Sequence, residues 1–212
     1  MLYRLKAQFQ KLAALLGQSW LTANQASGLG ALAAVAYAAA FYLGLARPGW
    51  RALLLTVPLL GLLRMIMNAL DGMLARAQGT ASPAGEIANE LLDVGGDTVM
   101  YGGLYFVPGG PDVSLVIFLL LCWAGEFVSV LGKSLPGGFR RQESVLGGKP
   151  ERAVWFGILA LVLYFNPGFL GHLPAFLWGL NTLVLFTILA RVRAALRDSR
   201  GTPYQSTTLY GK

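Results

Sequence analysis

Asn68, Asp71, Asn89, Asp93 and Asp97 carry oxygen donors at spacings that can bring them together. On a helix, Asn68, Asp71 and Ala75 fall at i, i+3 and i+7 and share one face, with Gly72 beside it. Gly85, Asn89, Asp93 and Asp97 recur every fourth residue. Each such step rotates about 40° around a helix, so the last three form a stripe about 80° wide. Carboxylates and amide oxygens that face each other make a site for a hard divalent ion such as Mg²⁺ or Mn²⁺. An ion of that kind neutralises a pyrophosphate and stabilises charge developing at phosphorus. A further carboxylate can accept the proton of an attacking hydroxyl. The competing reading is a set of interhelical polar contacts, such as Arg64 with Asp97. The regular spacing of the whole set weighs against it.

The elements that must position these groups read as membrane spans. The chain has 212 residues, 55% hydrophobic and only 13% charged, with mean hydropathy +0.56. That leaves too few charges for the surface of a soluble domain. Apolar segments occupy about 27–46, 52–70, 113–132, 153–170 and 173–190. Ile87 to Val107 is less apolar because it holds Asn89, Glu90, Asp93 and Asp97, yet it is about 20 residues long, enough to cross. Ser82-Pro83 supplies an N-cap and a proline at the first helical position. Topology decides for a span. With six spans and both ends cytoplasmic, only Arg47 and Arg51 of the 17 basic residues face outward, and Arg64 lies within the second span. Omitting the third span would move Lys133 to Arg152 outside, against the positive-inside rule.

The expected fold is therefore an all-α integral membrane protein of six transmembrane helices, preceded by an amphipathic interfacial helix. Residues 1–18 form the arm, where apolar residues alternate with Arg4, Lys6 and Lys11. They lack the continuous apolar core of a cleavable signal. Residues 19–197 form the transmembrane domain, and 198–212 a polar tail. The net charge of +7 is explained by lipid headgroups and topology, without a nucleic-acid partner. Cys122 is the sole cysteine, so neither an intramolecular disulfide nor a zinc site is expected. Gly95-Gly96 and Gly102-Gly103 read as close helix packing.

At these residues the chain resembles the CDP-alcohol phosphotransferase family. The family signature is D-x-x-D-G-x-x-A-R, then eight residues, then G-x-x-x-D-x-x-x-D. Asp71-Gly72, Ala75-Arg76, Gly85 and Asp93 hold matching positions, and Ala77 to Ala84 supply the gap of eight. Thr22-Ala-Asn24-Gln25-Ala-Ser27 is similar to the family's P-N-x-x-T element, with alanine for proline. The chain departs from the signature at Asn68 and Asn89, which stand where the family has aspartates; Asp97 is an added carboxylate one turn on. The resemblance implies metal held by Asp71 and Asp93, with Asn68, Asn89 and Asp97 as further donors. It implies Asp93 as the base and Gly72, Ala75, Arg76, Gly85 and Asn24 against the nucleotide. It also implies a homodimer and a site facing the cytoplasm.

Lys133, Arg140, Arg141, Lys149 and Arg152 gather in one cytoplasmic loop, and Arg191 and Arg193 end the sixth span. The plain reading is topology-setting charge. Gly147-Gly-Lys149-Pro-Glu151-Arg152 is also similar to basic residues of family members whose acceptor carries a phosphate. Lys133, Arg141, Lys149, Arg152 and Arg191 are thus expected to bind an anionic acceptor. The resulting expectation is an enzyme of the inner or plasma membrane that transfers a phosphatidyl group from CDP-diacylglycerol to a small polar alcohol and releases CMP. A second reading is a non-catalytic lipid- or nucleotide-binding membrane protein that has lost the complete metal site. A transporter fits less well, because the intramembrane charges gather near one surface.

Overall fold

The structure, a computed structural model, describes residues 21–135 and 146–199. The expected interfacial arm, Arg140, Arg141 and the tail from 200 onward lie outside the described residues. Six long helices follow in order: α1 Ala23–Ala46, α2 Val57–Ala77, α3 Pro83–Gly102, α4 Val113–Ser134, α5 Lys149–Phe165 and α6 Leu173–Ser199. Short 3₁₀ turns at Pro48–Thr56, Gly103–Phe106 and Pro167–His172 extend or join them. This is the all-α membrane fold expected from the sequence.

Helix starts are set by local chemistry. Thr22 and Gln25 form a capping box: Thr22 Oγ1 accepts the Gln25 N–H at 3.2 Å, and Gln25 Oε1 accepts the Thr22 N–H at 2.8 Å. Ser82 Oγ accepts the Gly85 N–H at 3.1 Å, and Pro83 opens α3 as the sequence predicts. Asp112 caps α4 by accepting the Ser114 N–H at 2.8 Å. That bond holds its carboxyl below the usual carboxylate range.

Among the described residues four helical stretches are long and apolar enough to cross a membrane individually: Ala23–Ala46, Pro48–Ala77, Val113–Ser134 and Pro167–Ser199. The other two helices fall short for different reasons. α3 carries Glu86, Glu90, Asp93 and Asp97, and α5 has 17 residues. Both nonetheless pack into the bundle, α3 against α1 and α4, and α5 against α2. α3 turns Ile87, Leu91, Leu92 and Val99 outward and buries Asp97. That inside-out distribution suits hydrocarbon outside and polar partners within.

The boundaries depart from the expected segments in instructive ways. The fifth helix begins at Lys149 and ends at Phe165, where about 153–170 was expected. Asn166 precedes Pro167, whose ring disfavours the helical conformation of the residue before it, and the chain continues as a 3₁₀ turn. α2 begins later and runs further than 52–70, because Pro58 sits in its first turn. α3 begins at Pro83 and yields to a 3₁₀ turn after Gly102.

An aromatic cluster closes the core beneath the polar residues. Tyr101 stacks on Phe156 with ring centroids 4.4 Å apart and meets Phe118 edge-on at 5.4 Å. Phe41 and Tyr37 join them from α1. Tyr101 and Phe156 each lie one turn beyond Asp97 and Arg152, so the apolar core abuts the charged site.

Candidate active site

Asn68 from α2 and Asp93 from α3 meet directly: Asn68 Nδ2 donates to Asp93 Oδ1. Lys149, the first residue of α5, reaches the same oxygen with its Nζ at 2.8 Å and lies 3.9 Å from Asp97 Oδ1. Asp71 is 5% exposed. Its Oδ2 accepts the Ser27 hydroxyl at 3.1 Å, and its Oδ1 the Gly72 N–H at 2.6 Å. Three helices thus deliver one polar cluster, and α1 adds Ser27, the last residue of the element similar to P-N-x-x-T.

A second layer of charge lies behind the first. Asp97 Oδ2 accepts from Arg152 Nη2 at 3.0 Å, and its Oδ1 faces Arg64 Nη2 at 3.4 Å. Arg64 also donates to the backbone oxygens of Gly30 at 3.3 Å and Asp93 at 3.1 Å. Gly96 admits this guanidinium: a Cβ there would come within 2.2 Å of Arg64 Nη2. Glu126 on α4 stands 3.7 Å from Arg152 and 3.8 Å from Arg191. Arg191 of α6 in turn donates to Gly125 O at 3.1 Å and Ser129 Oγ at 3.0 Å. Every one of the six helices contributes a polar partner. A buried charge left unpaired would cost several kcal/mol (order ~3–5), so these charges fix how the helices assemble.

Placement sorts the residues singled out by the sequence. Asn68, Asp71, Asp93, Asp97, Lys149 and Arg152 come together. Asn89 is half-buried on the same stripe of α3, and Asn24, Arg76 and Gly85 are exposed at the ends of their helices. Gly85 serves the Ser82 cap. Lys133 is exposed and pairs with Glu90 at 2.6 Å. Arg152 and Arg191, expected to meet an acceptor, are buried with side chains 1% and 7% exposed and engaged in the ion pairs above. Glu126 is an internal partner of those arginines. Asn181 makes a helix contact, donating to Ser114 O at 3.0 Å. A narrow cleft between α3 and α4 reaches Asp97 and Glu126 past Val94, Thr98 and Trp123; neither Asp71 nor Asp93 lines it.

The expected metal donors do not assemble as a metal pair would require. Among the described residues no three Asp, Glu, His or Cys side chains are grouped to hold an ion. Asp97 is committed to Arg64 and Arg152. Asn68 turns its NH₂ toward Asp93, while its Oδ1 lies against Gly30, where a Cβ would approach to 2.9 Å. The carboxylates Asp71, Asp93, Asp97 and Glu126 are equal in number to the cations Arg64, Lys149, Arg152 and Arg191, although Asp71 itself is held by Ser27 and the Gly72 N–H. The cluster is therefore close to neutral from the protein's own charges.

Comparison with known proteins follows the same lines. No family model matches the chain. It is 35% identical over 146 residues to the inner membrane protein YnbA of Escherichia coli K12, covering 68% of this chain and 71% of that one. Among solved structures it is similar to the phosphatidylinositol phosphate synthase PgsA1 of Mycobacterium tuberculosis, crystallised with CDP-DAG bound. The TM-score is 0.62 at 19% identity, covering 88% of this chain and 92% of that one. At that identity the likeness shows the fold.

Proposed function

Because the chain belongs to the family of the Escherichia coli inner membrane protein YnbA and shares the fold of a phosphatidylinositol phosphate synthase, we propose that it is a CDP-alcohol phosphotransferase. The donor is CDP-diacylglycerol, entering sideways from the bilayer, and the acceptor is a small polar alcohol, phosphorylated in this reading. The observation that carries the proposal is the meeting of Asn68, Asp93 and Lys149 from three helices, with Asp93 at a position that matches the family signature and the matching Asp71 buried one turn from Asn68. That structural neighbour was solved with CDP-DAG, which supports the donor. Gly72, Ala75 and Arg76, with Gly85 and Asn24, would lie against the cytidine nucleotide.

The acceptor hydroxyl oxygen attacks the lipid-side phosphorus of the donor. A new O–P bond forms as the bridging P–O bond breaks, and CMP leaves with the bonding electrons. Asp93 accepts the hydroxyl proton. Asp71, held by Ser27 and the Gly72 N–H, fixes the opposite side of the site. The resemblance implies Mg²⁺ or Mn²⁺, but the described donors do not fit a metal pair. Lys149 stands at Asp93 where a phosphate of donor or acceptor would arrive. Lys133, which pairs with Glu90, and Arg141 are the cations this reading assigns to an anionic acceptor. Arg152 and Arg191 act indirectly, by holding Asp97 and Glu126. The site faces the cytoplasm and the protein works as a homodimer in this reading.

A second reading, a non-catalytic lipid- or nucleotide-binding protein, is favoured by Asn68, Asn89 and the ion-paired Asp93. One experiment separates the two. Purified protein in lipid nanodiscs is given CDP-diacylglycerol and a panel of alcohols and alcohol phosphates, and lipids are read by mass spectrometry. A new phosphatidyl product from a phosphorylated acceptor, in step with CMP, supports the transferase. Nucleotide binding without any product supports the second reading.

A further inference from the structure

We propose, resting on the transferase reading above, that Lys149 is the cation that receives the diphosphate of the CDP donor, and that its departure from Asp93 turns that carboxylate into the base. Three observations converge. First, Asp93 and Lys149 are the reachable part of the network: their side chains are 16% and 24% exposed, against 8% for Asp97 and 1% for Arg152. Second, the Lys149 ammonium lies between Asp93 Oδ1 at 2.8 Å and Asp97 Oδ1 at 3.9 Å. It is a compact charge on a flexible stem, able to swing where an arginine locked on two carboxylates is not. Third, the donors of a metal pair are missing: asparagines stand at 68 and 89, and Asp97 is committed to Arg64 and Arg152. A diphosphate entering a neutral cluster needs a positive charge, and Lys149 is the most exposed of the four cations in that cluster. The start of α5 adds the partial positive charge of a helix N-terminus at the same place.

The exchange couples binding to chemistry. In the resting protein Lys149 and Asn68 both occupy Asp93 Oδ1, the oxygen a hydroxyl would have to approach. When Lys149 moves to the phosphate oxygens, Asp93 regains an acceptor site for the hydroxyl proton. The proton and the donor thus arrive at a site prepared by one side chain.

The test is calorimetric titration of CDP into the full-length protein in nanodiscs, in excess EDTA and again in Mg²⁺ or Mn²⁺. The expected result is wild-type binding in EDTA within about threefold of the value in metal. Lys149→Met weakens EDTA binding about tenfold or more, as loss of a charge-assisted hydrogen bond predicts, and Lys149→Arg retains most of it. Binding of CDP by the wild type only when metal is present overturns the proposal while leaving the transferase reading intact. So does a Lys149→Met protein with unchanged CDP affinity and a raised acceptor KM, which would give Lys149 to the acceptor. Failure of CDP to bind under any condition removes the transferase reading and this inference with it.

Discussion

Arg152 is accommodated inside a membrane bundle because Asp97 and Glu126 face it, and Asp97 in turn has Arg64 on its other side. Neither pair is strongly stabilising in itself, since desolvation offsets much of the attraction. Removing one partner is different, because it strands the other. Asp97→Ala is expected to lower stability by about 3–5 kcal/mol, read as a large drop in thermal midpoint in detergent. Asp97→Leu combined with Arg64→Met is expected to cost less than the two single changes added together. Additive losses would show that the pair is not coupled. The Arg64–Asp97 contact was visible in the sequence as an alternative partnership, since both residues lie within predicted spans. The Arg152–Glu126–Arg191 chain was not, because periodicity says which face a residue occupies and not which distant helix covers it. For the same reason the contact of Lys149 with Asp93 was not legible: nothing in its local sequence shows that it reaches back to α3.

Element by element, the distribution of basic residues, with a cap and a proline at its start, made the third helix readable where hydropathy alone missed it. Ser82 and Pro83 mark its start, and its stripe of polar residues marks its inner face. The end of α5 was misplaced because the apolar composition runs on past Asn166-Pro167 while the hydrogen-bonding pattern does not. The approach to α5 depends on Gly147. Its N–H donates to Thr187 Oγ1 at 3.2 Å, and a Cβ there would lie 2.5 Å from the backbone oxygen of Leu183. A backbone clash cannot be relieved by changing a rotamer. Gly147→Ala is therefore expected to cost about 1–3 kcal/mol and to displace Lys149 and Arg152 together. CDP affinity would fall alongside the thermal midpoint, and an unchanged affinity would show that α5 tolerates the shift.

For the whole molecule, the fold class was legible from composition and the distribution of basic residues, because few architectures put so many apolar stretches beside so little charge. Sidedness makes its own prediction. Cys122 is buried, so single cysteines placed at exposed loop positions report accessibility cleanly. Thr80→Cys, between α2 and α3, should resist a membrane-impermeant maleimide on intact cells, and Pro108→Cys, between α3 and α4, should react. The reverse pattern would put the site on the other face of the membrane. The most direct measurement is CMP release from CDP-diacylglycerol by purified protein with the acceptor that gives product, comparing wild type with Asp93→Asn alongside CDP binding by each. If the carboxylate is the base, the variant binds CDP within a few-fold of wild type while release falls by roughly 10²–10⁴. Release at the wild-type rate from Asp93→Asn would contradict the assignment on which the whole reading rests.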